Sequence, residues 1–340
     1  MFDQKPSAGR LVALDALRGI AALLVVLFHF TSQYDKLFGY VSPPAVSVPW
    51  GHYGVNLFFT ISGFVIFMTL HRAQRPMDFV VSRFSRLFPA FWVAVGLTFA
   101  LTHLFNLPGK TVDPSTAVLN LTMIHGLFKI PHVDEVYWTL EIELIFYFWA
   151  LVLYLLGRLD RVHALLLTLL ALRLTYFFAS SLLGRDLSWT FSHLLILLFI
   201  AWFICGIMVY RLVTFPNETP RKDLFVLGAA VAQLAIVEGI GLGLLAAALS
   251  ALLLAAAKGK LPLLNWPILG WLGTISYTLY LLHENIGWGV IRHLQSAGLG
   301  ANLSILIAIV AILLLASALT VLVERPAMKW IRQQYRRHSS

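Results

Sequence analysis

Cysteine is nearly absent from this chain. Cys205 is the only one among 340 residues, which excludes an intrachain disulfide and a cysteine-rich metal site and leaves packing in an apolar helix as its expected role. Charge is scarce as well: 12% of the residues are Asp, Glu, Lys or Arg, half the roughly 25% of a soluble domain. With 59% hydrophobic residues and a mean hydropathy of +0.81, the composition excludes an ordinary soluble protein and implies a polytopic membrane protein. Internal repeats, low-complexity linkers and an appended soluble domain are not evident, so one integral domain over 1–340 is expected. The formal charge of +9 comes without an aromatic-interleaved basic motif, and nucleic acid is not an expected partner. No small-residue cleavage site follows the first apolar stretch, which Asp15 and Arg18 interrupt, so it reads as a retained helix.

Apolar runs of spanning length fall near 11–33, 52–71, 87–107, 138–157, 162–180, 188–210, 223–238, 240–257, 268–291 and 303–323. The expected fold class is therefore all-α, with about ten transmembrane helices. The pair at 223–238 and 240–257 is the least certain, because Glu238-Gly239 must serve as its entire turn. Misreading it would flip the C-terminus. The basic residues support the count. With the N-terminus inside, nineteen of the 25 Lys and Arg fall on inner segments, while Lys36, Lys110, Lys129, Arg185 and Arg292 lie outside and Arg173 within a helix. That asymmetry obeys the positive-inside rule. Both termini are expected in the cytoplasm, with a cytoplasmic tail over about 325–340, in a multi-pass protein of the inner membrane.

What polar chemistry remains is concentrated in short motifs. Arg18 and His29 are eleven residues apart in LVALDALRGIAALLVVLFHF; at ~100° and ~1.5 Å per residue they share one helix face, ~16 Å apart in depth. Ionisable groups in a membrane segment usually face a protein interior or a wet cavity. The plain alternative is a snorkelling arginine and a hydrogen-bonded structural histidine. In SRFSRLFP, Arg83 and Arg86 occupy adjoining positions at the foot of the third helix. Paired guanidiniums suit phosphate, although ordinary inside anchoring explains them equally simply. In VYWTLEIELIFY, Glu141 and Glu143 follow Tyr137 and Trp138. Glu141 reads as an acid compensated by the helix N-terminus, and the deeper Glu143 as a carboxylate able to orient an imidazole. GTISYTLYLLHE aligns Ser276, Tyr277, Tyr280 and His283, and FFTISGFV offers Ser62 and Gly63; close helix packing and interhelical hydrogen bonds compete with a binding role for both. Glu324, Arg325 and Pro326 end the last helix, with Glu324 expected to clamp an inner arginine. The stretch 108–137, too short of apolar residues to span, reads as either a cover over an acceptor or a plain connector.

Six of these motifs in order resemble the acyltransferase-3 family of membrane acyltransferases: ALDALRGIAALLVVLFHF, FFTISGFV, SRFSRLFP, YWTLEIELIFY, GTISYTLYLLH and ERP. The family's usual tryptophan-serine-leucine run is changed here at Thr139, which keeps the hydroxyl, and Glu143 fills the glutamate place. The resemblance implies transfer of an acyl group, acetyl by default, from cytoplasmic acyl-CoA to a hydroxyl, commonly of a sugar in the bacterial envelope, with no metal. Under it, Arg18, Arg83 and Arg86 hold the donor phosphates, His29 is the base and Glu143 holds His29. Ser62, Trp138, Thr139, Tyr277, Tyr280 and His283 line the site or touch the acceptor, Ser62 or Ser276 is a candidate acyl carrier, and Glu324 and Pro326 are structural. A transporter or flippase for a polar or lipid-linked substrate is the rival reading, and a pH-sensing receptor a distant third.

Overall fold

The computed structural model describes residues 8–185 and 188–339; Lys5, counted above as an inner charge, lies outside them. Among the described residues every regular element is helical. In chain order they are α1 (Ala8–Phe28), a π-helical turn (His29–Gln33), α2 (Tyr34–Phe38), α3 (Gly54–Arg72), α4 (Pro76–Leu104), α5 (Pro114–Asn120), α6 (Trp138–Leu155), α7 (Val162–Leu183), α8 (Trp189–Leu194), α9 (Ile200–Thr214), α10 (Pro220–Val237), α11 (Ile240–Ala257), α12 (Pro267–Leu282), α13 (Glu284–Ser296), α14 (Ala301–Leu319), a second π-helical turn (Thr320–Glu324) and α15 (Arg325–Ser339). Helices satisfy their own backbone groups, which a lipid interior demands.

Among the described residues seven helical segments are long and apolar enough to cross a membrane, and Ile200–Thr214 and Pro267–Leu282 are shorter apolar helices. Length and apolarity therefore support seven of the ten expected spans. The expected run at 188–210 is broken after Leu194, where Ile196 takes φ +47°, leaving α9 at 15 residues, or about 22 Å. The run at 268–291 is interrupted in its hydrogen bonding at His283, although the backbone there stays helical. α10 carries Arg221, Lys222 and Asp223 in its first turn and is less apolar than these helices.

The third expected helix is also longer at its start. α4 begins at Pro76, where the missing N–H costs nothing, and runs 29 residues with Pro89 inside it, about 43 Å against a hydrocarbon core of roughly 30 Å. Arg83 and Arg86 thus lie two to three turns into a helix rather than at its foot.

The chain forms two compact units. One is built from the chain up to Leu17 together with Asn56–Pro76 and Ile142–Gly270. In it α3 and α9 cross at backbone contact: a Cβ on Gly63 would collide with the carbonyl of Phe203, and one on Gly206 with that of Thr60. Small residues let membrane helices approach this closely. α10 and α11 form a hairpin joined by Glu238 and Gly239 alone, with Gly239 at φ +102°, a conformation that suits glycine. Arg173 reaches Glu238 at 2.8 Å, and Asp223 is buried between Arg211 at 2.7 Å and His163 at 2.6 Å.

The other unit comprises Arg18–Val55, Met77–Glu141 and the chain from Trp271 onward. Gly19 lets α1 touch the backbone of α12 at Leu272 and Gly273. The stretch 108–137 is stitched down within this unit. Asn120 donates to the carbonyls of Thr116 and Pro131 and accepts from Val133 N–H, and Trp92 donates to the Leu121 carbonyl. His125 and His132 meet at 2.7 Å. Burial, followed by the neighbouring His132, holds His125 down at about 4. Cover or connector, the segment is fastened at its end to α13 by the Asn285 amide, which donates to the Val133 carbonyl.

Candidate functional site

The π turn begins at His29. An extra residue per turn leaves the His29 carbonyl accepting both Tyr34 N–H and the indole N–H of Trp288, the latter at 3.0 Å. Such π turns recur at functional positions. Around the imidazole stand the rings of Phe28 and His283, each 4.9 Å away between centroids, and Trp288 at 6.0 Å.

The hydrogen bonds dictate the tautomer. Nδ1 of His283 lies 2.8 Å from the Tyr280 carbonyl; a carbonyl can only accept, so this nitrogen carries the proton and Nε2 is left with a lone pair. Nε2 lies 3.1 Å from Nδ1 of His29, which is also 2.9 Å from the Val25 carbonyl. Nδ1 of His29 is then the donor, shared between these two acceptors, and its Nε2 carries the free lone pair. His29 keeps 13% of its side chain exposed while His283 is sealed, so only His29 can meet a substrate.

Nε2 of His29 faces Glu284 Oε1 at 3.9 Å. Glu284 is buried, accepts from Val136 N–H at 3.1 Å and hydrogen-bonds with the side chain of Asp134. Asp134 is fully buried and accepts from Asn285 N–H at 3.2 Å and Val136 N–H at 3.4 Å. Burial pushes its carboxyl up to about 6. Lys110 pairs with Glu135 at 2.5 Å and lies 5.1 Å from the Trp288 ring.

The carboxylate beside His29 is thus Glu284, which the sequence reading passed over. Glu143, expected to hold His29, accepts instead from the Ser62 hydroxyl at 2.5 Å. Glu141 turns to the cover, where Gly126 packs so closely that a Cβ there would meet its carboxyl group. Thr139 and Tyr280 meet hydroxyl to hydroxyl at 2.8 Å, and both also reach the Val136 carbonyl. Trp138 begins α6 immediately before Thr139. Tyr277 donates to the Leu87 carbonyl at 2.9 Å, and Ser276 bonds within its own helix to the Gly273 carbonyl.

The arginines gather at the second π turn. Arg86 is ion-paired to Glu324, which is 1% exposed, and lies over the Tyr277 ring at 5.8 Å. Arg18 also acts on Glu324 electrostatically. Arg83 bonds the Ser82 hydroxyl at 3.1 Å. Arg332, from α15, donates to the Ser85 hydroxyl at 3.1 Å and the Ser82 carbonyl at 3.4 Å, within the fields of Arg83, Arg86 and Arg336. Sequence reading counted Arg332 only as an inner charge. The spacing of Lys329, Arg332 and Arg336, which puts them on one helix face, was the available signal. Pro326 stands in the first turn of α15, where proline is tolerated.

Glu324 is thus paired to Arg86 with Arg18 acting on it, and Arg332 lies in the fields of Arg83 and Arg86, an arrangement able to attract an anion. Among the described residues no group of three His, Cys, Asp or Glu side chains is placed to hold a metal ion.

An exposed imidazole with its tautomer fixed, in one unit with a cluster of arginines, meets a direct comparison with known proteins. Residues 11–322 match the acyltransferase-3 family, described as an acyltransferase domain. The chain belongs to that family. A relative is the exopolysaccharide production protein ExoZ of Rhizobium meliloti (strain 1021), 28% identical over 300 residues, which cover 82% of this chain and 90% of that protein. Protein 2 in the picA locus of Rhizobium radiobacter is 30% identical over 136 residues, 36% of this chain and 65% of that protein. No solved structure matches the chain significantly.

Proposed function

We propose that this member of the acyltransferase-3 family is a multi-pass enzyme of the bacterial inner membrane, working as one catalytic domain, that moves an acyl group from cytoplasmic acyl-CoA to a hydroxyl of a sugar or glycoconjugate. Acetyl is the default acyl group. The observation that carries the reading is the free Nε2 lone pair of a partly exposed His29, fixed by the chain from Tyr280 O through His283. A base with a set tautomer and an open nitrogen is what proton removal from an attacking hydroxyl requires.

In this scheme Nε2 of His29 takes the acceptor's proton as its oxygen bonds to the thioester carbonyl carbon. The C–S bond then breaks, and the departing thiolate recovers the proton from the imidazolium to leave as free CoA. Arg83, Arg86 and Arg332, with Arg18, hold the donor phosphates, whose planar recognition suits guanidinium. The hydroxyls of Thr139 and Tyr280 supply polar contacts to acceptor and thioester, with Trp138 and Tyr277 lining the path. The relative's role in exopolysaccharide production favours a polysaccharide precursor as acceptor. In the topology proposed here, ten spanning helices with both termini in the cytoplasm, the arginines lie on the donor side.

The test follows CoA release from acetyl-CoA by purified protein in detergent, in the presence of envelope glycan precursors. Release that depends on acceptor and is abolished in His29→Ala supports the scheme; near-normal release in a folded His29→Ala protein overturns it.

A further inference from the structure

We propose that Asp134 and Glu284 share a single proton and together present one buried negative charge to Nε2 of His29, so that they are the positioning acids of the transfer reaction. The inference deepens the reading of His29 as the base and rests on it.

Two carboxyl groups that hydrogen-bond to each other cannot both be ionised, because each would offer only acceptors. Asp134 and Glu284 do so at a place sealed from water, and both lean on the same Val136 N–H. The environment assigns the proton. Asp134 accepts two backbone N–H groups, one of them Asn285 in the first turn of α13, where the helix dipole favours an anion. Glu284 accepts one. The charge therefore rests on Asp134 and the proton on Glu284, which donates it toward Asp134.

Among the described residues Lys110 is the cation that acts on both carboxyl groups. Lys110, from the cover, is engaged by Glu135 at 2.5 Å. The other titratable groups acting on the pair are Tyr137, just before α6, and Glu135, and His52 acts on His29 beside them. The remaining partner is His29, whose Nε2 lies 3.9 Å from Glu284 Oε1. At that distance a protonated imidazole gains charge attraction without a hydrogen bond in the resting state. The acid pair thus favours the imidazolium that forms as the acceptor's proton is taken, and leaves the neutral ring free beforehand.

Infrared spectroscopy in nanodiscs tests the shared proton without requiring any turnover. At pH 7 the wild-type protein should show the carbonyl stretch of a protonated, buried carboxylic acid; the band should vanish in Glu284→Gln and shift in Asp134→Asn. No such band in the wild type, or an unaltered band in Glu284→Gln, overturns the proposal. The pH profile of acyl transfer tests the effect on His29. In the double variant Asp134→Asn/Glu284→Gln, the acidic limb of kcat should move to lower pH and kcat should fall about 100-fold, with the donor KM unchanged. Glu284→Gln alone should fall less, since Asp134 then carries the charge; an equal fall means that Glu284 held the charge by itself and refutes the sharing. Should no acyl-CoA serve as donor, the infrared band still decides the point.

Discussion

Nε2 of His283 lies 3.1 Å from Nδ1 of His29, and through that contact a fully buried ring decides which nitrogen of an accessible one is basic. The Tyr280 carbonyl fixes the first proton and the second follows. His283 is a positioning residue for His29, and its place in the helical break between α12 and α13 aims it.

Replacing His283 should therefore act on kcat. In His283→Ala the Nδ1–H of His29 keeps only the Val25 carbonyl, and kcat should fall about 10- to 100-fold with little change in donor KM. His283→Asn, whose amide oxygen can still accept, should recover part of the loss. Steady-state CoA release measures both.

Arg86 has two tasks that mutagenesis can separate. Arg86→Ala leaves Glu324 buried and unpaired, which should cost about 3–5 kcal/mol of stability. Arg86→Ala/Glu324→Ala should regain most of that loss and remain weak in donor binding. Thermal unfolding and acyl-CoA titration report the two separately.

Arg83 and Arg332 should affect the donor alone. A charge-assisted hydrogen bond contributes about 1.5–3 kcal/mol, so Arg83→Ala and Arg332→Ala should each raise the acyl-CoA Kd about 10- to 100-fold. CoA should compete for these sites, and dephospho-CoA should compete less well.

The cover should loosen in acid. His125 has a folded-state pKa near 4 against an ordinary 6.5, so between those values the unfolded segment binds more protons and stability falls as pH falls. Asp134, raised to about 6, contributes in the opposite sense over an overlapping range. Comparing hydrogen-exchange protection factors of residues 114–133, corrected for the intrinsic pH dependence of amide exchange, in the wild type and His125→Asn isolates the first effect: protection should fall from pH 6.5 to 4 in the wild type and fall less in the variant.

Gly206→Ala places a methyl against the Thr60 carbonyl and should force α3 and α9 apart. Overpacking of this kind costs about 1–3 kcal/mol, read as a lowered Tm in detergent.

Membrane character, helical class and the main motifs were legible because each lives in local sequence. The eleven-residue spacing of Arg18 and His29 and the Glu238-Gly239 turn needed only helix geometry. The partners of His29 did not come from periodicity, because Asp134 and Glu284 are 150 residues apart and meet only when the cover is fastened to α13. Glu143 drew attention as the deeper acid of its helix, while Glu284 was hidden as the neighbour of a more conspicuous histidine. Arg332 looked like one more charge in a basic tail until Ser82 and Ser85 were seen to receive it. Two expected runs differ in path because of single residues: Ile196 ends one helix within 188–210, and the hydrogen bonding of 268–291 is interrupted at His283.

Two helical stretches, at His29–Gln33 and Thr320–Glu324, take an extra residue per turn, and each contains an ionisable group of the site. Past His29 every side chain is out of phase with α1 by roughly one position, or ~100°. Tyr34 reaches Gln295 at 2.9 Å because of that offset. Deleting one residue between His29 and Gln33 would restore ordinary winding and swing Tyr34 away from α13, although no side chain of the site had been altered. The insertion works as a phase adjustment, by which one continuous rod offers its base on one bearing and its anchor on another.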